Sequence, residues 1–320
     1  MFGAAVVCYL FLGGSGAGAC AALAVAGFLV PRGYLEFECV GPSGVACRAV
    51  VVPEAYRRLF SSGYAAALVA LLLGIAFLFV DLGRADRLLL LLQPKPTYLS
   101  VGAYALAACV IVSGVAALSW SGLIRFARFW VFRLIGCIQL ISALAVMVYT
   151  GLLLWDVRAL PLWSTPWLAV LFALSAASCG IALLMAIDRL GESSRRFCGY
   201  ARGLARADLF VMIAEAAAVI GFVVSVGASG EGGTPTALAA TASLTRLLAG
   251  DLAVVFWGGF IVCGLAAPLL IESGLVLSRR RAPLVAVGAS ALVLAGGFFL
   301  RWCVVEAGAH PAVMTLAGVM

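Results

Sequence analysis

Charged residues are scarce in this sequence. Asp, Glu, Lys and Arg together make up 11% of its 320 residues, whereas hydrophobic residues make up 65% and the mean hydropathy is +1.16. A chain of this composition has too few polar side chains to cover a surface that faces water. The composition excludes an ordinary water-soluble domain and indicates an integral protein of the lipid bilayer.

Metal- and haem-binding patterns are also missing. The sequence has a single histidine, His310, and its ten cysteines form no C-x-x-C pair and no tight cluster. Structural zinc and iron–sulfur clusters need closely spaced cysteines, and a b-type haem in a helix bundle normally takes two imidazoles. We therefore expect no metal site, no haem and no iron–sulfur cluster in this chain, so redox chemistry would need an organic carrier.

Long apolar stretches recur along the whole chain. Eight of them are long enough, at about 1.5 Å per residue, to cross a hydrocarbon core of about 30 Å, and lipid requires such segments to be helical. We therefore predict an all-α integral membrane protein, an eight-helix transmembrane bundle that forms a single polytopic domain over 1–320. The spans are expected near 4–30, 62–81, 99–119, 129–155, 163–188, 207–228, 250–278 and 283–306.

Basic residues are distributed unevenly between the predicted loops. Fifteen of the 21 Lys and Arg residues flank the loops after the first, third, fifth and seventh spans. The positive-inside rule places these loops in the cytoplasm and both termini on the extracytoplasmic side. The net charge of +7 is thus accounted for by short loops, and no nucleic-acid partner is expected.

The first loop, 34–58, has mixed charge and is expected to be irregular, with a short helix near 54–60. Cys39 and Cys47 both lie in this loop and could form a disulfide. A cytoplasmic loop is in a reducing environment, which argues against that pairing.

Ionisable residues inside the spans are candidates for chemistry. Glu215, Glu272 and Arg301 lie well within the last three spans. Each costs at least about 2.5 kcal/mol there unless it faces the bundle interior with a partner. Glu215, Glu272 and Arg133 are therefore candidates for proton transfer, and a structural interhelical pair of Glu215 with an arginine such as Arg133 is the alternative.

Two further acids lie near the inner ends of their spans. Asp188 and Asp208 are interpreted as neutralising Arg189 and Arg206 in the membrane interface. These two acids are not counted among the candidates for chemistry.

The end of the second span carries an acid and a base, Asp81 and Arg84. They form either a surface pair on one helical face or a partly desolvated acid beside a cation, which could hydrogen-bond a ligand headgroup and accept its proton. Tyr149, near the same boundary, is either a belt anchor or a hydrogen-bond donor. Four tryptophans are expected in the interfacial belt, namely Trp155, Trp163, Trp167 and Trp302.

Five stretches carry a family resemblance. They are YLFLGGSGAGA (9–19), FVDLGRADR (79–87), VYTGLLL (148–154), LPLWSTPWLAVLFALSAASCGIALLMAI (160–187) and GGFFLRWCVVEAG (296–308). Their order and spread over five spans resemble the NrfD-type family, the membrane subunits of polysulfide reductases. Each stretch is weak alone, and the ordered set is specific.

The resemblance implies a subunit of a respiratory oxidoreductase in the bacterial inner (cytoplasmic) membrane. It implies an exchangeable quinone, menaquinone or ubiquinone, and no haem or iron–sulfur cluster in this chain. It also implies a four-cluster ferredoxin-type iron–sulfur subunit docked on the periplasmic face, and a molybdopterin catalytic subunit reached through it.

The resemblance also points to residues. Asp81, Arg84 and Tyr149 are implied as the catalytic set. The quinone pocket is expected to include Tyr9, Gly14, Ser15, Arg301 and Glu306. The glycine run around Gly14 serves helix packing or the close approach of a flat ring. The first span departs from the family pattern because it has neither the asparagine nor the histidine of better-known members.

Two other functions remain open. The chain could be an anchor or coupling subunit of the same architecture without an exchangeable quinone. It could also be a secondary transporter, which predicts inverted repeats and helices broken near the membrane centre. The sequence has glycine-rich helices but no convincing repeat.

Overall fold

The computed structural model describes residues 3–30, 36–40, 46–50, 54–82, 98–124, 129–157, 160–190, 198–229, 235–278 and 283–308. In this part of the chain, eight helical spans are long and apolar enough to cross a membrane, which confirms the predicted number. A single domain over 1–320 stays a prediction. The elements in chain order are α1 (Ala4–Leu29), β1 (Glu36–Val40), β2 (Ala46–Val50), α2 (Glu54–Leu82), α3 (Tyr98–Trp120), α4 (Phe129–Trp155), α5 (Pro166–Leu190), α6 (Cys198–Ser229), α7 (Pro235–Leu248), a π-helical segment (Val255–Ala266) continued by α8 (Ala267–Ser278), and α9 (Pro283–Gly308).

Helices α1 and α5 form the centre of the bundle. In these two helices 78% and 61% of the apolar window is buried, against 28% to 39% in the other spans. Helix α1 packs against α2, α4, α5 and α9. The remaining spans therefore present much of their apolar surface to the lipid.

Glycines allow α1 and α5 to pack closely. A side-chain carbon at Gly18 would overlap the backbone carbonyl of Ala176, and one at Gly180 would overlap the backbone of Gly18. Small residues at helix contacts are the usual means of close packing in membranes, where no hydrophobic force drives helices together. The glycine-rich stretch of the first span therefore serves helix packing, which was one of its two interpretations.

A polar contact links three helices inside the bundle. Cys20 Sγ of α1 lies 3.1 Å from Ser113 Oγ of α3, and Gln139 Nε2 of α4 donates to the same hydroxyl at 3.1 Å. All three residues are buried. Hydrogen bonds of this kind between membrane helices are worth about 0.6 to 2 kcal/mol each.

The first loop contains a β-hairpin, so the expectation of an irregular segment is wrong there. Strands β1 and β2 pair antiparallel, and their register places Cys39 opposite Cys47. The helix expected near 54–60 is present, but it is continuous with the second span, because α2 begins at Glu54. The helical bundle is thus accompanied by a short sheet outside its spans.

Helix α7 lies between the sixth and seventh spans and is not itself a span. Its buried side faces α6, the π-helical segment and α9, and includes Ala237, Ala240 and Leu247. Near the end of α7, Arg246 donates hydrogen bonds to Asp251 Oδ2 at 2.7 Å and to the carbonyl of Glu306 at 2.9 Å. The contact with Glu306 holds the end of α7 against α9. The hydrogen bond to Asp251 raises the pKa of Arg246, so this residue stays a cation.

We expect Gly18→Ala to destabilise the bundle, because the new methyl group would overlap the α5 backbone. Overpacking of this kind costs about 1 to 3 kcal/mol. The thermal midpoint of the purified protein in detergent measures the effect. Gly114→Ala in α3 is the matched control, since a side-chain carbon there meets no atom within 4 Å and alanine favours helix. Equal midpoints for the two variants would contradict the close α1 to α5 contact.

Candidate functional site

Each end of the bundle is named after one residue that lies there. The Asp81 face is the end at which α1 begins and α2 ends, and there the Asp81 carboxylate lies close to Gly3. The opposite end is the Arg133 face, where α1 ends near Arg133. Asp81 is exposed in the chain alone, so the expectation of a partly desolvated acid is not met by this chain by itself. Arg84 lies outside the described residues.

Two tyrosines form a buried pair beneath the Asp81 face. The hydroxyl groups of Tyr9 of α1 and Tyr149 of α4 face each other and interact. Tyr9 is 1% exposed and Tyr149 is 6% exposed. The ring of Tyr149 lies against Gly102 of α3, where a side-chain carbon would overlap it. The sequence singled out both tyrosines, and the structure brings them together.

Arg301 lies at the same depth as the tyrosine pair and is completely buried. Its Nε donates to the carbonyl of Leu10, the residue after Tyr9, at 3.1 Å. Its Nη1 donates to the carbonyl of Gly297 at 2.7 Å and to Ser175 Oγ at 3.3 Å. One guanidinium thus joins α1, α5 and α9.

Aromatic rings and a glycine complete the environment of Arg301. The guanidinium carbon lies 5.9 Å from the ring centre of Phe11 and 5.4 Å from that of Phe172. A side-chain carbon at Gly14 would lie 3.0 Å from Nη2, so Gly14 leaves room for the guanidinium. Nη2 itself has no hydrogen-bond partner in the described part of the chain. The site therefore offers a positive charge with a spare donor.

Within the described spans, the Glu215 carboxyl group interacts electrostatically with the Arg301 guanidinium. Its carboxyl also interacts with the Ser175 hydroxyl. Arg133, the alternative partner from the sequence, instead donates to the carbonyls of Gly27 and Val30 at 2.9 Å each. The alternative of an interhelical partner arginine for Glu215 is therefore met by Arg301 and not by Arg133, because α4 directs Arg133 toward the end of α1.

Asp208 and Glu272 are buried acids on neighbouring helices. Asp208 of α6 accepts a hydrogen bond from Ser178 at 2.8 Å and interacts with Glu272 of α8. The interpretation of Asp208 as a surface partner of Arg206 is therefore wrong, since its carboxyl lies inside the bundle. Asp188, in contrast, has Arg189 as its charged neighbour, as expected.

The other predicted pocket residues lie apart from the tyrosine pair. Ser15 is buried, and its hydroxyl donates to the carbonyl of Leu12 in its own helix. The Glu306 side chain is exposed, so it does not share a pocket with buried Arg301. Trp163 is fully buried and donates to the carbonyl of Val304 at 2.9 Å, which corrects its placement in the interfacial belt.

The chemistry available at this site follows from its groups. Two phenols can donate hydrogen bonds to a carbonyl oxygen, and Arg301 can stabilise negative charge that develops nearby. Glu215 can accept or release a proton. In the described part of the chain, no group of three or more His, Cys, Asp or Glu side chains is arranged to hold a metal ion.

Comparisons with known proteins place this protein in a family. The model of the family described as "Polysulphide reductase, NrfD" matches residues 1–312. The C subunit of polysulfide reductase from Wolinella succinogenes is 34% identical over 174 residues, which is 53% of this sequence and 52% of the relative. The NrfD homolog of Haemophilus influenzae is 28% identical over 175 residues, which is 53% of this sequence and 51% of the relative.

The matched stretches span about half the length of these two curated relatives. The family match covers nearly the whole chain, and it agrees with the eight apolar helices and with the five motif stretches. This multi-pass integral membrane protein therefore belongs to the NrfD family of polysulfide reductase membrane subunits.

Proposed function

We propose that this protein is a quinone-interacting membrane subunit, which exchanges electrons between the membrane quinone pool and an iron–sulfur partner subunit. The observation that carries the proposal is the buried pair of Tyr9 and Tyr149 at the depth of Arg301, whose Nη2 has no hydrogen-bond partner in the described chain. A buried cation with a free donor, which contacts the turn of α1 that carries Tyr9, and two buried phenols are together suited to a flat ligand that bears carbonyl oxygens.

The residues present fit a quinone headgroup. A bound quinone supplies the two-electron, two-proton chemistry. Tyr149 and Tyr9 would donate hydrogen bonds to a carbonyl oxygen, and Arg301 would stabilise negative charge beside them. Because both phenols are buried, neighbouring side chains must move aside before a headgroup can reach them. Because the first span lacks asparagine and histidine, Tyr9 would be the residue of this span that donates a hydrogen bond to the headgroup.

The Asp81 face is the proposed docking surface of the iron–sulfur partner. The tyrosine pair lies beneath this face, and short distances favour electron transfer. Exposed Asp81 and Glu306 lie at this face and would be covered by the partner. The excess of basic residues on the Arg133 face supports a cytoplasmic location for that face. A molybdopterin catalytic subunit would then be reached through the partner on the periplasmic side.

A second candidate function is an anchor that holds partner subunits and binds no exchangeable quinone. The near-complete burial of Tyr9 and Tyr149 favours it, since a permanently closed pair would be structural. Quinone extraction from the purified complex discriminates between the two. A complex that retains no quinone and shows no quinol-dependent reduction of the partner clusters would favour the anchor.

We expect Tyr149→Phe to lower quinol-dependent reduction of the partner clusters by about tenfold or more, because one donor to the headgroup is lost. Stopped-flow spectroscopy of the intact complex measures this rate. Tyr104→Phe is the control, because Tyr104 lies on the lipid-facing side of α3 with 51% of its surface exposed. Equal rates for both variants would remove Tyr149 from the site.

We expect Arg301→Lys to impair both stability and quinol-dependent activity, although it keeps the positive charge. A lysine ammonium cannot reach the three acceptors that the guanidinium holds on α1, α5 and α9. Loss of hydrogen bonds from a charged group costs about 1.5 to 3 kcal/mol each. Thermal unfolding and the activity of the complex measure the two effects, with Arg57→Lys in α2 as control, because the Arg57 side chain is exposed. A variant with unchanged stability would show that these contacts are not formed.

A further inference from the structure

The buried acids Asp208 and Glu272 lack the partners that such groups need. Both are at most 3% exposed. Ser178 donates to Asp208 Oδ1 at 2.8 Å, but Asp208 Oδ2 and both oxygens of Glu272 have no hydrogen-bond donor in the described part of the chain. An unpaired carboxylate at this depth is costly, and a carboxyl group that holds a proton is far less so.

The groups around the pair do not neutralise two negative charges. Asp208 of α6 faces Glu272 of α8 and Ser178 of α5, and Glu215 of its own helix adds a further acid. The cation that acts on Glu272 is Arg189, near the end of α5. Two carboxylates that share a site with one cation cannot both ionise at low cost, so the pair retains a proton.

We propose that Asp208 and Glu272, with Ser178, form a proton-binding site that exchanges protons with the Arg133 face and passes them toward Glu215. Glu215, Glu272 and Arg133 were the candidates for proton transfer predicted from the sequence. The structure replaces Arg133, which is engaged with the end of α1, by Asp208.

The remainder of the path follows from helix spacing. Glu215 lies seven residues after Asp208 on α6, which puts both acids on one face of the helix, about 10 Å apart along its axis. Ser175 and Ser178 lie three residues apart on α5, so they also share a face. Each serine contacts one of the two acids. Ser175 in turn accepts a hydrogen bond from Arg301 at 3.3 Å.

The proposed proton path therefore runs from Glu272, on which the charge of Arg189 acts, through Asp208 to Glu215, on which the charge of Arg301 acts. Neither the step from Glu272 to Asp208 nor the step from Asp208 to Glu215 is spanned by a hydrogen bond in the described part of the chain, so a water molecule or a carboxyl rotation must bridge each one. The proton that Glu272 takes up on the Arg133 side would be passed on to Asp208 and then to Glu215. Binding of a proton by the acid pair is independent of any quinone, whereas its delivery to the tyrosine pair rests on the proposed function.

Infrared difference spectroscopy tests the proton-binding step. We expect the unmodified protein to show the carbonyl band of a protonated carboxyl group at neutral pH, shifted in heavy water and lost in Glu272→Gln or Asp208→Asn. Asp156→Asn is the control, since Asp156 is exposed beyond the end of α4. Should a variant fail to fold, isotope-labelled glutamate or aspartate in the unmodified protein assigns the band. Absence of the band, or its removal by sodium ions at constant pH, would overturn the proposal.

Proteoliposomes that contain the intact complex test the path. We expect Glu272→Gln to slow quinol-linked proton movement across the Arg133 face by about tenfold or more, and Glu272→Asp, which keeps a carboxyl group, to restore most of it. Unchanged proton movement in Glu272→Gln, at a normal rate of electron transfer, would overturn the path. A wild-type complex without quinol-dependent electron transfer would instead contradict the proposed function, and the infrared result would still stand.

Discussion

The guanidinium of Arg301 inside the bundle is the interaction on which the rest of the structure depends. A cation at this depth is tolerated only where protein surrounds it. Three acceptors on α1, α5 and α9 and two aromatic rings supply that environment. One side chain therefore hydrogen-bonds to three helices at once. A side-chain carbon at Gly14 would lie 3.0 Å from Nη2 of the guanidinium, and one at Gly297 would overlap Cys179 Sγ and lie 3.4 Å from Nη1.

The central position of α1 and α5 explains where polar residues can be placed. Their glycines bring the two backbones into contact, and the other helices then separate both from lipid. Ser175 and Ser178 can consequently offer hydroxyl groups to buried acids on α6 without meeting the hydrocarbon core. On α1, Tyr9 can pair with Tyr149 for the same reason. The polar groups of the site are thus a consequence of glycine packing elsewhere in the same helices.

The hydropathy and length of the apolar segments predicted the number of spans, because a helix that crosses a hydrocarbon core must be both apolar and long enough. The partners of charged residues were predicted poorly, because they depend on which helices are neighbours. Glu215 meets Arg301 and not Arg133 for that reason. The buried position of Asp208 on the same helix face as Glu215 could have been predicted from the sequence. Residues two apart on a helix point in different directions, so Asp208 could not have paired with Arg206 along α6, whereas the spacing of seven to Glu215 indicated a shared face.

Other differences have local causes. Helix α7 is too short for a span and was not predicted, although Pro235 at its start and Gly250 after its end are common helix boundary residues. Trp163 was predicted to lie in the aromatic belt because it is near the end of a predicted span in the sequence. The turn before α5 instead directs its side chain onto α9. The π-helical segment brings Gly264 against Gly296 of α9, and no sequence pattern in VFWGGFIVCGLA indicated the wider helix.

Arg301 also links the two halves of the site. The tyrosine pair lies between α1 and α4, whereas the acids lie between α5, α6 and α8, and the contacts that connect these groups run through Arg301 and Ser175. Negative charge placed beside Nη2 of Arg301 would compete with Glu215 for the same cation. Glu215 would then hold a proton more strongly, because less positive charge would act on it and charges interact strongly in a medium of low dielectric constant. In the proposed function, the arrival of electrons at the Asp81 face would thus draw protons from the acid pair, without any change in the positions of the helices.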